Sequence, residues 1–527
     1  MEAINALIRR AEEHQLLTPL GQTAVKNRVF IYADDLVIFL KPTEKDLKLI
    51  RAVLNLFAEA TGLETNVNKC QFSPIRCTDE DIALVQQFFL CQLQHFPCKY
   101  LGAPLSIYKL KKEDLQPLVD SVGDRLPTWK AGLLNRAGRV ALTKATLSAI
   151  PIHLSISVGL PPWTIRAIDK FRKGFVWSGT PAVSGGRCLV AWQKVCRPVD
   201  LGGLGILDLS KHSYALSLLW QWLRRTDSSR TWASLPAQID PVVQQLFDIS
   251  VTVDIGDGAK TLFWLDHWIH GKCIQQLAPN VFQAVPKRIQ KSRTVMEGLA
   301  NGSWIRDIQG ARTFPLIRDF LLLLGRLESI NTTPNREDRF IWRWSATGEY
   351  SPSSAYRILF NGQFAIQGAK ELHKTRAPAR SKFFFWLVLL GRCWTSDRLQ
   401  RHNLQHNGPR ALCVQLTETL DHLLLGCVFS RQIWYNLLRN VGHQILTPTA
   451  DSAIVDWWLT ARKRIPKAHR KGFDSLVVLV TWEVWKERNR RVFQRTSRNV
   501  MELLTTIQEV GRNWIMAGFR ALSDFIQ

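Results

Sequence analysis

No stretch of this chain stays apolar for long. The longest uninterrupted run, FFFWLVLL (Phe383–Leu390), falls far short of the ~20 residues that a membrane span needs. The opening residues, MEAINALIRRAEEHQ, form a charged amphipathic helix pattern with no apolar h-region, so no signal peptide is expected. Ten cysteines are scattered through 527 residues with no disulfide framework. Ordinary thiols in a reducing, intracellular compartment are expected, with one group able to hold a metal. The Gly202-Gly203-Leu204-Gly205 stretch reads as a tight turn and not a phosphate loop, because no Gly-Lys-Ser/Thr follows it. There is no internal repeat, no low-complexity tract and no basis for a Ser/His/Asp hydrolase.

Acidic residues are also scarce: 44 Asp+Glu face 69 Lys+Arg, a net charge of +25. A solvated basic surface is one reading. A polyanion partner is the sharper one, since dispersed Lys and Arg supply affinity for phosphates without reading sequence. The 20 Trp and 25 Phe are available both for core packing and for stacking on bases. A hydrophobic content of 46% is ample for packed cores, and the length suits roughly three or four domains.

The fold class read from the pattern is α+β. Residues 1–110 are mixed: Leu7, Ile8 and Ala11 mark the apolar side of an opening helix, and Arg28–Leu40 reads as two strands. Asp46–Thr61 is helical, with Leu47, Ile50, Val53, Leu54 and Phe57 on one face and Gly62 where a C-cap belongs. Residues 111–180 are helical and basic, 181–330 Trp-rich and irregular, 339–440 a compact module and 470–527 helical. Ser329–Asp338 reads as a linker.

The stretch RVFIYADDLVIFLKP (Arg28–Pro42) sets two adjacent acids, Asp34 and Asp35, inside an apolar run. Neighbouring side chains on a regular strand point to opposite faces. The pair therefore reads as the bend of a strand–turn–strand hairpin. Asp is a common turn residue, which is explanation enough for an isolated pair. A divalent cation is the other reading, since Mg²⁺ takes carboxylate oxygens and shares its remaining positions with water and substrate phosphates.

Tyr-Ala-Asp-Asp between two apolar strands resembles the signature hairpin of reverse transcriptases. TGLETNVNKC (Thr61–Cys70) and KYLGAPLS (Lys99–Ser106) resemble the motifs that follow it in that family, in the same order. RLPTWKAGLLNRAGRVALTKATLSAIPIHL (Arg125–Leu154) resembles the basic thumb of plant non-LTR (LINE-type) retrotransposon polymerases. RWSATGEYSPSSAYRIL (Arg343–Leu359), KFFFWLVLLGRCWTSDRL (Lys382–Leu399) and ETLDHLLLGCVFSRQIW (Glu418–Trp434) resemble that family's zinc-binding module.

The resemblance implies a partial palm (1–110), a thumb-like region (111–180), a connecting region (181–330), a zinc-binding module (339–440) and a C-terminal helical region (470–527). It implies an RNA-directed DNA polymerase ancestry with RNA and DNA as partners and no membrane. Asp34 and Asp35 would hold Mg²⁺, Lys69 would donate a proton to departing pyrophosphate, and Tyr100, Leu101 and Gly102 would grip the primer end. Arg125, Lys130, Arg136, Arg139 and Lys144 would touch nucleic-acid backbone; a solvated helix face is the plain alternative.

Two departures from the family pattern stand out. The family uses a third carboxylate from an earlier strand, but the only acids before Asp34 are Glu2, Glu12 and Glu13, all in the opening helix pattern. By the same resemblance, no fingers region is expected within these residues. Positioning supplies ~7–11 kcal/mol of such a barrier, so this polypeptide alone is expected not to polymerise DNA. The family's zinc pattern is Cys-x2-Cys, then Glu-Thr/Ser, then His-x4-Cys. Cys413, His422 and Cys427 fit it, but Arg410 stands where the first cysteine belongs. Arginine only donates hydrogen bonds and cannot ligate zinc. A weak zinc site and an unmetallated module held by its apolar core both remain open. His406 and Cys393 are the nearest substitute ligands in sequence. Trp342, Trp344, Trp386, Trp394 and Trp434 read as core residues. His267 and His270 read as structural.

Overall fold

The computed structural model describes residues 2–21, 28–126, 128–227, 230, 240–330, 332–404, 412–413 and 418–526. Helices dominate, and among the described residues the strands form four two-stranded sheets, an α+β composition. The chain divides into two compact units, Met1–Gln116 with Leu218–Tyr350, and Pro117–Ser217 with Ser351–Gln527.

In the first unit, α1 (Glu2–Glu13) buries Ile4, Ile8 and Ala11 against α2 (Glu44–Thr61), which buries Leu47, Ile50, Val53 and Phe57. Both faces follow the helical period, as the sequence pattern predicts. Thr43 caps the start of α2 by accepting from the Asp46 N–H, and Gly62 ends it in the left-handed conformation at φ 70°. Strands β1 (Val29–Tyr32) and β2 (Asp35–Ile38) pair antiparallel, with Tyr32 opposite Asp35. Val29, Ile31, Leu36 and Ile38 face the helices. The other face carries Phe30 and Tyr32, 43% and 62% exposed. Buried Arg28 ties the hairpin down by donating to the carbonyls of Thr18 at 2.7 Å and Phe39 at 3.5 Å.

Three further pieces complete this segment: a parallel pair, β3 (Gln71–Phe72) with β4 (Gln92–Leu93), flanking α3 (Asp79–Phe88), and a hairpin of β5 (Cys98–Tyr100) and β6 (Ala103–Leu105).

Residues 218–350 are organised by β7 (Val251–Asp254), which pairs antiparallel with β8 (Arg339–Trp342). The buried Asp338 carboxylate gathers the loop after β7. It accepts from the N–H groups of Gly256 (2.8 Å), Gly258 (2.9 Å), Lys260 and Thr261 (3.1 Å each), and from the Thr261 hydroxyl (2.7 Å). Burial alone would raise this carboxyl's pKa; the Thr261 hydroxyl and the loop N–H groups outweigh it and hold the pKa below its ordinary value.

The second unit has one large core. α4 (Arg136–Leu142) contributes Val140, and α5 (Ala379–Leu389) contributes Phe383 to Val388. α6 (Val428–Asn440) adds Trp434, α7 (Arg470–Asn489) adds Phe473 and Leu476 to Val480, and α8 (Val500–Met516) adds Leu503 and Ile507. The helical run Arg136–Ser157 is long and apolar enough to cross a membrane, but by length and composition only. Val140, Leu147 and Leu154 within it are buried, and Arg136, Arg139 and Lys144 lie along it, the pattern of a core helix.

Candidate metal centre and nucleic-acid interface

Cys413, His422 and Cys427 come together. Their ligand atoms all lie within 4.8 Å of one another, with Cys413 Sγ 3.1 Å from His422 Nε2. Tetrahedral zinc with bonds of ~2.0–2.3 Å sets neighbouring donors roughly 3.3–3.8 Å apart, so the group is of the right size and donor type. His422 opens a wide π-type turn, His422–Gly426, whose last carbonyl contact is Cys427 N–H to His422 O at 2.7 Å. Gly426 is packed so closely that a Cβ there would lie 2.3 Å from the Ala450 carbonyl oxygen.

Cys427 is fully buried at the N-cap of α6. Burial pushes its thiol up and the Cys413 thiol adds to this; the N–H groups of Phe429 and Ser430 pull it back, leaving a pKa of about 11. Those N–H groups are also what a metal-bound thiolate uses for stabilisation. Four residues before His422, Glu418 forms a buried ion pair with Arg488 at 2.6 Å and also accepts from the Ser396 N–H at 3.0 Å. Arg410 and His406 lie outside the described residues. Cys393 is described and does not join the cluster; burial pushes its thiol up to about 12.

Asp34 and Asp35 sit at the bend of the β1–β2 hairpin, as their pattern predicts. Ala33, the first turn residue, takes a φ of 52°. Both acids are exposed, and among the described residues no third carboxylate, histidine or cysteine joins them in a metal-sized group. Lys69 is exposed at the end of a short 3₁₀ turn, Val67–Lys69, and no hydrogen bond or ion pair joins it to either acid. Tyr100 closes β5, and Leu101 and Gly102 form a two-residue turn with φ of 49° and 80°, the sign pattern of a type I′ hairpin. The structure brings two of these motifs within electrostatic reach: burial raises the Tyr100 pKa, and the Asp35 charge raises it further.

The five basic residues of the thumb-like region have different surroundings. Arg125 and Lys144 are exposed. Lys130 lies in the helix Thr128–Leu133, and its side chain is outside the described set. Arg139 bonds the Ala131 carbonyl through Nε (3.3 Å) and a terminal nitrogen (2.9 Å), a structural staple. Arg136 borders a cavity.

That cavity, with Arg380, Arg392, Trp482 and Trp485, escaped the sequence reading. Its only sequence signal is the i, i+3 spacing of the last two residues on a helix. Of the tryptophans read as core, Trp342, Trp386 and Trp434 are buried, Trp394 is half-buried, and Trp344 is 42% exposed. His267 is buried.

Residues 350–434 match a family described as zinc-binding in reverse transcriptase. A putative ribonuclease H protein of Arabidopsis thaliana is 25% identical over 430 residues, covering 75% of this chain and 67% of the relative. These likenesses support a retroelement-derived protein. The matched stretch contains Cys413, His422 and Cys427, and the two observations together point to a group able to hold zinc.

Proposed function

We propose that this chain is a nucleic-acid-binding protein derived from the reverse transcriptase of a plant LINE-type element. In this reading residues 1–110 are a palm remnant, 111–180 a thumb, 181–330 a connector, 339–440 a zinc module and 470–527 a C-terminal helical region. The observation that carries it is the Cys413–His422–Cys427 cluster, which lies inside the stretch matched as zinc-binding. Bound zinc supplies a structural cross-link there. The chain's own part is to hold the donors: α6 presents N–H groups to Cys427, and the Glu418–Arg488 pair fixes the strand of chain leading to His422.

The ancestral chemistry joins a primer 3′-oxygen to a dNTP α-phosphorus and breaks the bond to pyrophosphate. In this reading Asp34 and Asp35 descend from the Mg²⁺ ligands of that reaction, Lys69 from its proton donor, and Tyr100–Gly102 from its primer grip. With both acids exposed and no third ligand beside them among the described residues, the chain alone binds without polymerising.

Three measurements test the reading. Filter binding of RNA and DNA across a salt series should show a steep fall in affinity; a flat response removes the electrostatic basis. Primer extension should give no product, and extension abolished by Asp34→Asn/Asp35→Asn would overturn the inactivity. Zinc stoichiometry should fall with Cys427→Ser and rise with Arg410→Cys; no change in either rejects the cluster as a zinc site.

A further inference from the structure

A cavity of about 270 Å³ opens in the second unit, outside the metal cluster. It is lined by Phe384 and Leu387 of α5, by Trp394, and by Trp482 and Trp485 of α7. Three guanidiniums stand around it: Arg136 at the start of α4, Arg380 at the start of α5 and Arg392 in the loop beyond α5. The aromatic wall is continuous. The Phe384 ring centroid lies 5.2 Å from Trp482 and 5.6 Å from Trp485, and the Arg380 guanidinium lies 5.2 Å from the Trp482 ring.

The charges around this cavity are one-sided. No acid lines it, and Arg136, Arg380 and Arg392 are exposed and form no ion pair with the described residues. The neighbouring acids are already engaged, Glu483 with Lys486 at 2.8 Å and Glu418 with Arg488. A ligand that fits must therefore be flat and apolar on one part and anionic on another. An unpaired nucleotide meets both demands, because its base stacks on indole and its phosphate matches the guanidinium fork. A duplex has no free base face to offer.

We propose that this cavity is a single-nucleotide pocket: one unpaired base of a single-stranded RNA or DNA packs against Trp482 and Trp485 while its phosphate is held by Arg380 and Arg392. The assignment rests on the nucleic-acid-binding reading above and adds a base-dependent site to its diffuse electrostatics. Stacking is the part that surface charge cannot mimic.

The test uses the purified full chain, oligothymidylate, a fully abasic oligomer of the same length and charge, and duplex DNA. Binding is followed by tryptophan quenching and by anisotropy. The pocket predicts that oligothymidylate binds about 5- to 150-fold more tightly than the abasic strand, the range expected for one stacked base. It also predicts that Arg380→Gln/Arg392→Gln removes most of that preference while duplex binding changes little. These exposed residues are chosen because Trp482→Ala can fail to fold; an unchanged melting curve checks the variant. Equal binding of the two strands, or a preference untouched by the variant, overturns the pocket and leaves the general reading standing. No binding to any of the three probes overturns both. Quenching by a phosphotyrosine peptide but not by the oligonucleotides would give the cavity to a peptide and reject the assignment.

Discussion

Cys91 and Asp338 are pushed in opposite directions by their surroundings, and each makes a measurable prediction. Cys91 precedes β4 as Cys70 precedes β3, and the Gln92 N–H bonds the Cys70 carbonyl at 3.0 Å, so the two cysteines are cross-strand neighbours. Burial, then the Cys70 charge and its thiol hydrogen bond, raise Cys91 to about 11. At pH 8 its alkylation should run about a hundredfold slower than that of an ordinary exposed thiol, and Cys70→Ser should speed it; mass spectrometry of iodoacetamide adducts reads both.

Asp338 has its pKa depressed in the fold. Its stabilising contribution is therefore present above the unfolded value and lost as pH falls through the lower, folded one, from roughly pH 4 downward. Asp338→Asn should cost about 1–3 kcal/mol at neutral pH and remove that part of the acid dependence in denaturant titrations. The end of the stretch read as a linker is thus a buried acceptor. Its partners lie far off in sequence, at Gly256 to Thr261, and no local pattern announces them.

Elements differ in how openly they are written. α2 was legible down to its Gly62 stop, because helical period and C-cap are local chemistry. The β1–β2 hairpin and the His422-x4-Cys427 spacing were legible for the same reason. The pairing of β7 with β8 was not, since it joins residues separated by most of the first unit's second segment. Nor was the Arg139 staple: a cation on a basic helix looks like surface until its acceptor carbonyl is seen. The π-type turn before Cys427 depends on the missing side chain at Gly426. Gly426→Ala should cost about 1–3 kcal/mol by forcing that turn away from Ala450, and zinc retention against a chelator should fall with it.

At the scale of the whole molecule, positive charge and aromatic abundance were visible from composition, but which residues face a cavity was not. Tryptophans of the two kinds read alike: Trp434 is enclosed, whereas Trp482 and Trp485 are only half-covered. The core of the second unit has a practical outcome. The stretch matched as zinc-binding stops at 434, but Trp386 and Trp434 belong to the same core as Val140 before the stretch and Phe473, Val480 and Ile507 after it. Cut out as 350–434, the stretch should be insoluble or molten, giving no sharp thermal transition and binding the dye ANS. The Cys413–His422–Cys427 group is not a portable cassette: it is one corner of a larger block, and any graft or deletion that moves it must carry the flanking helices along.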